Sequence, residues 1–397
     1  MSDELFHLER KDGDRPNLSS DVGEATWAVP DPEPEPPPPA ASDRPVTEAE
    51  SSAFGAILQR LAERHDLHRS QAAMALEQIV AGEVSDTETA AFLMGLRVKG
   101  ETADEIAGLL ETMRRMAVPV QTKYPGALVD VVGTGGDNLG TFNISTTAAF
   151  VVAGAGVKVA KHGNRAASSR CGSADLLEAL GVRVDLTPDE VAACIEQVGM
   201  GFMLASLHHP AMDKVAPVRR TLGVRTVFNL LGPLTNPAGV QRQLVGVSST
   251  EHMEVLAGAL ARVGCRHALL VHGDEGMDEL SVCGASTLTE VEQGVVQPPY
   301  SLTPEECGVC RWALAGLRGG RPDENAFVTK GVLQGSRKGA PRDVVVLNAG
   351  AALYVAGAVP SIQDGVQLAM TTIDGGKAAE VLARMVAVTH ELVESRA

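Results

Sequence analysis

The chain has 397 residues, 44% of them hydrophobic and 21% charged, with a formal net charge of −16. That length and apolar content fit a globular protein with one large and one small domain. The acidity excludes a sequence-independent grip on nucleic acid, which needs a basic face, and no apolar run of about 18 residues offers a membrane span.

Residues 1–46 are polar, acidic and proline-rich, culminating in Pro30-Asp31-Pro32-Glu33-Pro34-Glu35-Pro36. Such a segment buries too little apolar surface to offset its ordering entropy, so disorder is expected. The N-terminus has no apolar stretch of a secretory signal, and a cytoplasmic protein is expected. From Thr47 the pattern turns helical. Phe54, Ile57, Leu58 and Leu61 share one face, as do Ile106, Leu109, Leu110 and Met113. Capping boxes at Thr47–Glu50, Ser85–Glu88 and Thr102–Glu105 mark helix starts. Residues 47–117 therefore read as a small antiparallel helical domain. Beyond Pro119, candidate strands at 128–132, 157–160, 182–185, 243–248, 268–272 and 343–347 alternate with helical segments, which implies an α/β sheet covered by helices. Residues 188–216 read as helical. Six cysteines are scattered, and Cys307-Gly308-Val309-Cys310 has no second pair at zinc spacing, so reduced thiols are expected.

The densest chemistry lies in residues 133–170. Gly133-Thr134-Gly135-Gly136-Asp137 follows an apolar run and precedes Asn143-Ile144-Ser145-Thr146, a helix start; Lys161-His162-Gly163-Asn164-Arg165 closes the unit. Glycines admit phosphate oxygens to backbone N–H groups, and a helix N-terminus favours negative charge. Asn143, Ser145 and Thr146 add donors, while Lys158, Lys161, Arg165 and Arg170 add a local basic site. A glycine-rich turn alone would be an ordinary strand–turn–helix link; its combination with 161–165 favours phosphate binding. Neither G-x-G-x-x-G nor G-x-x-x-x-G-K-[ST] is present, so the dinucleotide and P-loop classes are excluded. His208-His209-Pro210 lacks a third ligand at helical spacing and does not support zinc.

These motifs, with Arg219-Arg220-Thr221-Leu222-Gly223, Asn229 to Pro237 (NLLGPLTNP), His272-Gly273, Met277-Asp278-Glu279-Leu280 and Leu347-Asn348-Ala349, resemble the anthranilate phosphoribosyltransferases from about residue 50 to the C-terminus. The resemblance implies a fold of the nucleoside-phosphorylase and phosphoribosyltransferase type. A small, discontinuous all-helical domain (47–117 and about 188–216) would form a homodimer. A large α/β domain (118–187 and 217–397) would carry a central mixed sheet flanked by helices. The implied reaction joins anthranilate to 5-phosphoribosyl 1-diphosphate, releasing pyrophosphate.

The same resemblance places the phosphoribosyl donor against Gly133, Gly136, Asp137, Thr141, Asn143, Ile144, Ser145, Thr146, Lys161, His162, Gly163, Asn164, Arg165, Ala166, Ala167, Ser168, Ser169 and Ser173. Anthranilate would meet Gly133, Asn164 and Arg219. Magnesium, two ions per subunit, would be held by Ser145, Asp278 and Glu279. Hard oxygen ligands suit that ion, although an adjacent acidic pair can also be a solvated turn. Asp274-Glu275 competes, but the family pair directly precedes a leucine, as Leu280 does here. No covalent nucleophile is needed, and His162 is either a general base or structural. At Ser206 the chain departs from the family, where a proline is usual. A pyrimidine nucleoside phosphorylase and a catalytically silent binding protein are the rival readings; the acidic pair with Arg219 argues against the first, the net charge against the second.

Overall fold

A computed structural model of the protein describes residues 53–166 and 169–396. The acidic extension, the Thr47–Glu50 capping box and the predicted site residues Ala167 and Ser168 lie outside the described residues. The chain begins with four helices, α1 (Ala53–Ala62), α2 (Arg69–Ala81), α3 (Asp86–Lys99) and α4 (Ala103–Met116). Their starts are set by side chains: the Glu88 N–H donates to Ser85 Oγ at 3.2 Å, and the Thr102 N–H to Glu105 Oε2 at 2.8 Å. The Ile106 stripe is buried, and so is the Phe54 stripe apart from the partly buried Leu58.

A mixed sheet follows. It contains β1 (Val129–Gly133), β2 (Val159–Gly163), β3 (Met200–Leu204), β4 (Arg242–Gly246), β5 (His267–Gly273), β6 (Ser286–Glu292), β7 (Val295–Val296) and β8 (Tyr300–Leu302). The spatial order is β3-β2-β1-β4-β5-β6-β7, with β8 also on β6; the first five run parallel and the rest antiparallel. The chain thus steps outward from β1 to β3, returns to the other side of β1 at β4, and continues the opposite way. A crevice opens beyond the strand ends at such a reversal, and ligands of open α/β sheets bind there.

Helices cover both faces. They are α5 (Ile144–Gly154), α6 (Ser173–Ala179), α7 (Pro188–Val198), α8 (Ala205–His208), α9 (Met212–Leu222), α10 (Val227–Leu231), α11 (Met253–Arg262), α12 (Pro322–Leu333), α13 (Ala340–Ala356), α14 (Ile362–Asp374) and α15 (Lys377–Glu394). Strand alternation divides the core: Val131, Leu244 and Leu269 join one cluster with α5 and α13, whereas Val132, Val245 and Leu270 join the other with α1–α4 and α9–α11. The helical layer therefore shares its core with one face of the sheet.

Three expectations are corrected. Residues 188–216 do not return to the helical layer as a block: α7 packs on β3 and α15, and β3 is a sheet strand, so only α9, lying on α2 and α3, makes the return. Periodicity reveals a helix but not which layer receives its apolar face. Residues 182–185 are not a strand; buried Val182 and Val184 alternate as in one, but Arg183 N–H donates to the Thr389 hydroxyl of α15 instead. Residues 343–347 lie inside α13, where Val344, Val345 and Val346 are all fully buried, so a β-branched run needed on every side of a helix mimics a strand. Among the described residues no helix is long and apolar enough to cross a membrane.

Candidate active site

The loops after β1, β2 and β5 meet the N-terminus of α5 around a cleft of about 1050 Å³. Gly135, Gly136, Asn138 and Gly140 all have positive φ, which lets the β1 loop curl while its backbone faces the cleft. Gly133 and Gly246 pair in register at the ends of β1 and β4, and both press against Asp278: an added Cβ would overlap its carboxylate at Gly133 and its backbone at Gly246. The glycines here are demanded by a close approach.

That approach brings the acidic pair onto the glycine loop. Asp278 Oδ2 accepts the Gly135 N–H at 2.7 Å, and Glu279 Oε1 accepts the Ser145 N–H at 3.0 Å in the first turn of α5. Burial, with repulsion from Asp137, pushes Asp278 up to about 7; burial, with repulsion from Asp278, pushes Glu279 up to about 8. The competing Glu275 is occupied otherwise, accepting the Ser281 hydroxyl. Crowded carboxylates short of positive charge suit a divalent cation. Among the described residues no group of three or more His, Cys, Asp or Glu side chains makes a closed cage. The set fits magnesium, which keeps waters and takes remaining ligands from phosphate, better than a metal wanting an all-protein shell.

Most predicted donor-site residues line this cleft: Gly133, Gly136, Asp137, Thr141, Asn143, Ile144, Ser145, Lys161, His162, Gly163, Asn164, Arg165, Ala166, Ser169 and Ser173 do so together with Asp278 and Glu279. Thr146 does not; one step round α5 from Ser145, it is fully buried. Lys161 is reached only at the cleft floor. Its side chain is 1% exposed, Nζ donates to the Val131 carbonyl at 2.7 Å, and burial lowers its pKa against the pull of Asp130 and Glu279. It is a buried lysine on β2 between Asp130 and Glu279, where a phosphate partner was expected.

Arg219 also departs from expectation. It does not line the cleft; its guanidinium lies 5.7 Å over the Phe228 ring and donates to Asn229 Oδ1 at 3.4 Å, and Asn229 is the cleft-lining group. Arg165 is half-exposed in an ion pair with Glu178. His162 is buried, with Nε2 unpartnered and its ring 5.0 Å from His209, and burial holds its pKa well below 6.5. The TNP turn has a clear job: Asn236 Nδ2 donates to Asp130 Oδ2 at 2.6 Å and to the Ala160 carbonyl at 2.8 Å, tying β1 to β2 beneath the site.

Sequence reasoning missed Arg225, Asn229, Arg318 and Asn325, all on the cleft wall. Arg225 donates to the Gly135 carbonyl at 3.0 Å, and Asn325 Nδ2 to Asn143 Oδ1 at 2.9 Å. Asn229 and Arg225 sit within or beside the NLLGPLTNP motif, which was a usable signal; Arg318 and Asn325 had none.

Residues 125–379 match the glycosyl transferase family, a/b domain, and residues 56–117 its helical bundle domain. The anthranilate phosphoribosyltransferase of Rubrobacter xylanophilus is 52% identical over 335 residues, covering 84% of this chain and 97% of that one. Among solved structures, the Thermus thermophilus enzyme of that name aligns with a TM-score of 0.80 at 46% identity, covering 84% of this chain and 99% of the other. The Saccharomyces cerevisiae enzyme in complex with PRPP and Mg aligns with a TM-score of 0.78 at 28% identity, covering 87% and 99%. With the helical layer, the mixed sheet and the acidic pair against the glycine loop all in place, the chain belongs to the anthranilate phosphoribosyltransferase family.

Proposed function

We propose that the protein transfers the 5-phosphoribosyl group of 5-phosphoribosyl 1-diphosphate to the amine of anthranilate, giving N-(5-phosphoribosyl)anthranilate and pyrophosphate in L-tryptophan biosynthesis. The observation that carries this reading is the convergence of Asp278 and Glu279 with the Gly135 N–H and the α5 N-terminus at one point of the cleft. Magnesium, as two ions per subunit held by Ser145, Asp278 and Glu279, would neutralise the departing pyrophosphate.

The chain's own groups do the rest. The glycine loop and the α5 N-terminus offer N–H donors to phosphate oxygens, and Arg225 holds the loop carbonyls away from them. Asn143, held by Asn325, and Ser173 at the start of α6 seat the donor. Anthranilate lies against Gly133 and Asn164, and Arg219 meets its carboxylate only by giving up its hydrogen bond to Asn229. His162 stays neutral, its buried ring packed edge-on against His209.

The subunits pair through the helical layer, where Val98 of α3 is 64% exposed. The free cysteines fit a reducing, cytoplasmic setting. The test is loss of anthranilate fluorescence on adding 5-phosphoribosyl 1-diphosphate, with Mg²⁺ and then with EDTA. A magnesium-dependent loss supports the reading; no loss with folded protein overturns it. Arg219→Ala is expected to raise the KM for anthranilate selectively, and a change confined to the donor's KM would refute its role.

A further inference from the structure

The acidic pair needs something to hold it, and the structure supplies an unusual candidate in the middle of α13. That helix is apolar and buried almost throughout, yet Asn348, 0% exposed, sits at its centre. A buried carboxamide costs free energy unless all its hydrogen bonds are made. Here they are. Asn348 Oδ1 accepts the Leu280 N–H at 2.9 Å, and Nδ2 donates to the Leu280 carbonyl at 2.9 Å and to the Val344 carbonyl at 2.9 Å. The reciprocal pair with both backbone groups of Leu280 holds the two peptide units that flank this residue, the first of them shared with Glu279. Leu280 directly follows Glu279.

The opposite side of the loop is walled by Gly133 and Gly246, which leave no space for movement toward the sheet. The loop is thus pressed from the sheet and hooked from α13, and the hook touches neither cleft nor carboxylate. We propose that Asn348 is a positioning residue that sets the Asp278-Glu279 pair in its metal-binding pose. This rests on the magnesium reading above. Outer groups that orient metal ligands typically change affinity by about 10–100-fold when removed.

The test uses Mn²⁺ as a probe, titrated into the full-length protein with pyrophosphate and followed by the electron paramagnetic resonance of the free ion. Asn348→Ala and the near-isosteric, uncharged Asn348→Leu, which fills the site should alanine loosen it, are compared with wild type by circular dichroism and by this titration. Val346→Ala, which trims a buried apolar neighbour on the same helix, controls for general loosening. Both Asn348 variants are expected to weaken Mn²⁺ binding at least about 10-fold, with Val346→Ala within about twofold of wild type. Unchanged binding in folded Asn348 variants, or equal weakening in Val346→Ala, overturns the inference and leaves the magnesium reading standing. Binding that survives Asp278→Asn with Glu279→Gln overturns that reading and the inference together.

Discussion

Burial raises Asp278 to about 7 and Glu279 to about 8, so without metal both carboxylates carry part of a proton at neutral pH. A carboxylate whose folded pKa lies above its unfolded one is a growing liability as pH rises between the two values. Asp278→Asn with Glu279→Gln is therefore expected to abolish turnover yet raise the melting temperature in EDTA by a few degrees, more at pH 8 than at pH 6. A thermal scan of both proteins checks this, and a destabilised variant would contradict it. Histidines act in the opposite sense. Burial lowers His209 to about 4, and His162 and His208 are also lowered, so the unfolded chain binds protons that the folded one refuses. Their contribution is complete above pH 6.5 and is lost as pH falls from there toward 4 for His209. The urea stability of wild type relative to His209→Gln is expected to drop by up to about 2 kcal/mol between pH 6.5 and 5. A flat difference would mean that His209 is not held neutral.

Short polar residues stitch the elements together where strands end. Asn236 joins β1, through the Asp130 carboxylate, to the Ala160 carbonyl of β2. Asn236→Ala leaves both acceptors buried without this donor, and a loss of about 2–3 kcal/mol in the urea-derived stability is expected, with no change in the slope of the transition. At this scale the sequence was uneven reading. Capping boxes and one-sided stripes such as Ser85–Glu88 and Ile106–Met113 were legible because their signals are local. The MGFML run of β3 was not, since a strand buried on both faces loses its alternation, and Val344-Val345-Val346 misled for the same reason inside a helix. The site followed the same rule. Contiguous motifs named most of its walls, whereas Arg318 and Asn325 arrive from segments whose spacing says nothing local, and the depth of Lys161 depends on strands it pairs with rather than on its own loop.

For the whole molecule, the α/β class was legible in the rhythm of strands and helices, but the joint core was not. Val132, Val245, Val247 and Leu270 of the sheet pack into the same cluster as Phe54, Leu76, Phe92 and Leu110 of the helical layer. Residues 53–396 are accordingly expected to unfold as one cooperative unit, giving a single calorimetric transition; two separated peaks would show independent domains. The family match begins at residue 56, beyond the acidic, proline-rich segment 1–46. Removing residues 1–46 is expected to leave kcat and that transition unchanged, as steady-state kinetics and calorimetry of the shortened chain would show.

The hook between Leu280 and Asn348 also sets a schedule for synthesis. Gly135 must wait 143 residues for Asp278, and Leu280 a further 68 for Asn348. At about 5–20 residues per second, a growing chain carries its glycine loop for roughly 10–40 s before the carboxylates opposite it are anchored. A ribosome that stops short of α13 releases a chain that carries Asp278 and Glu279 but lacks the Asn348 that hooks Leu280 behind them.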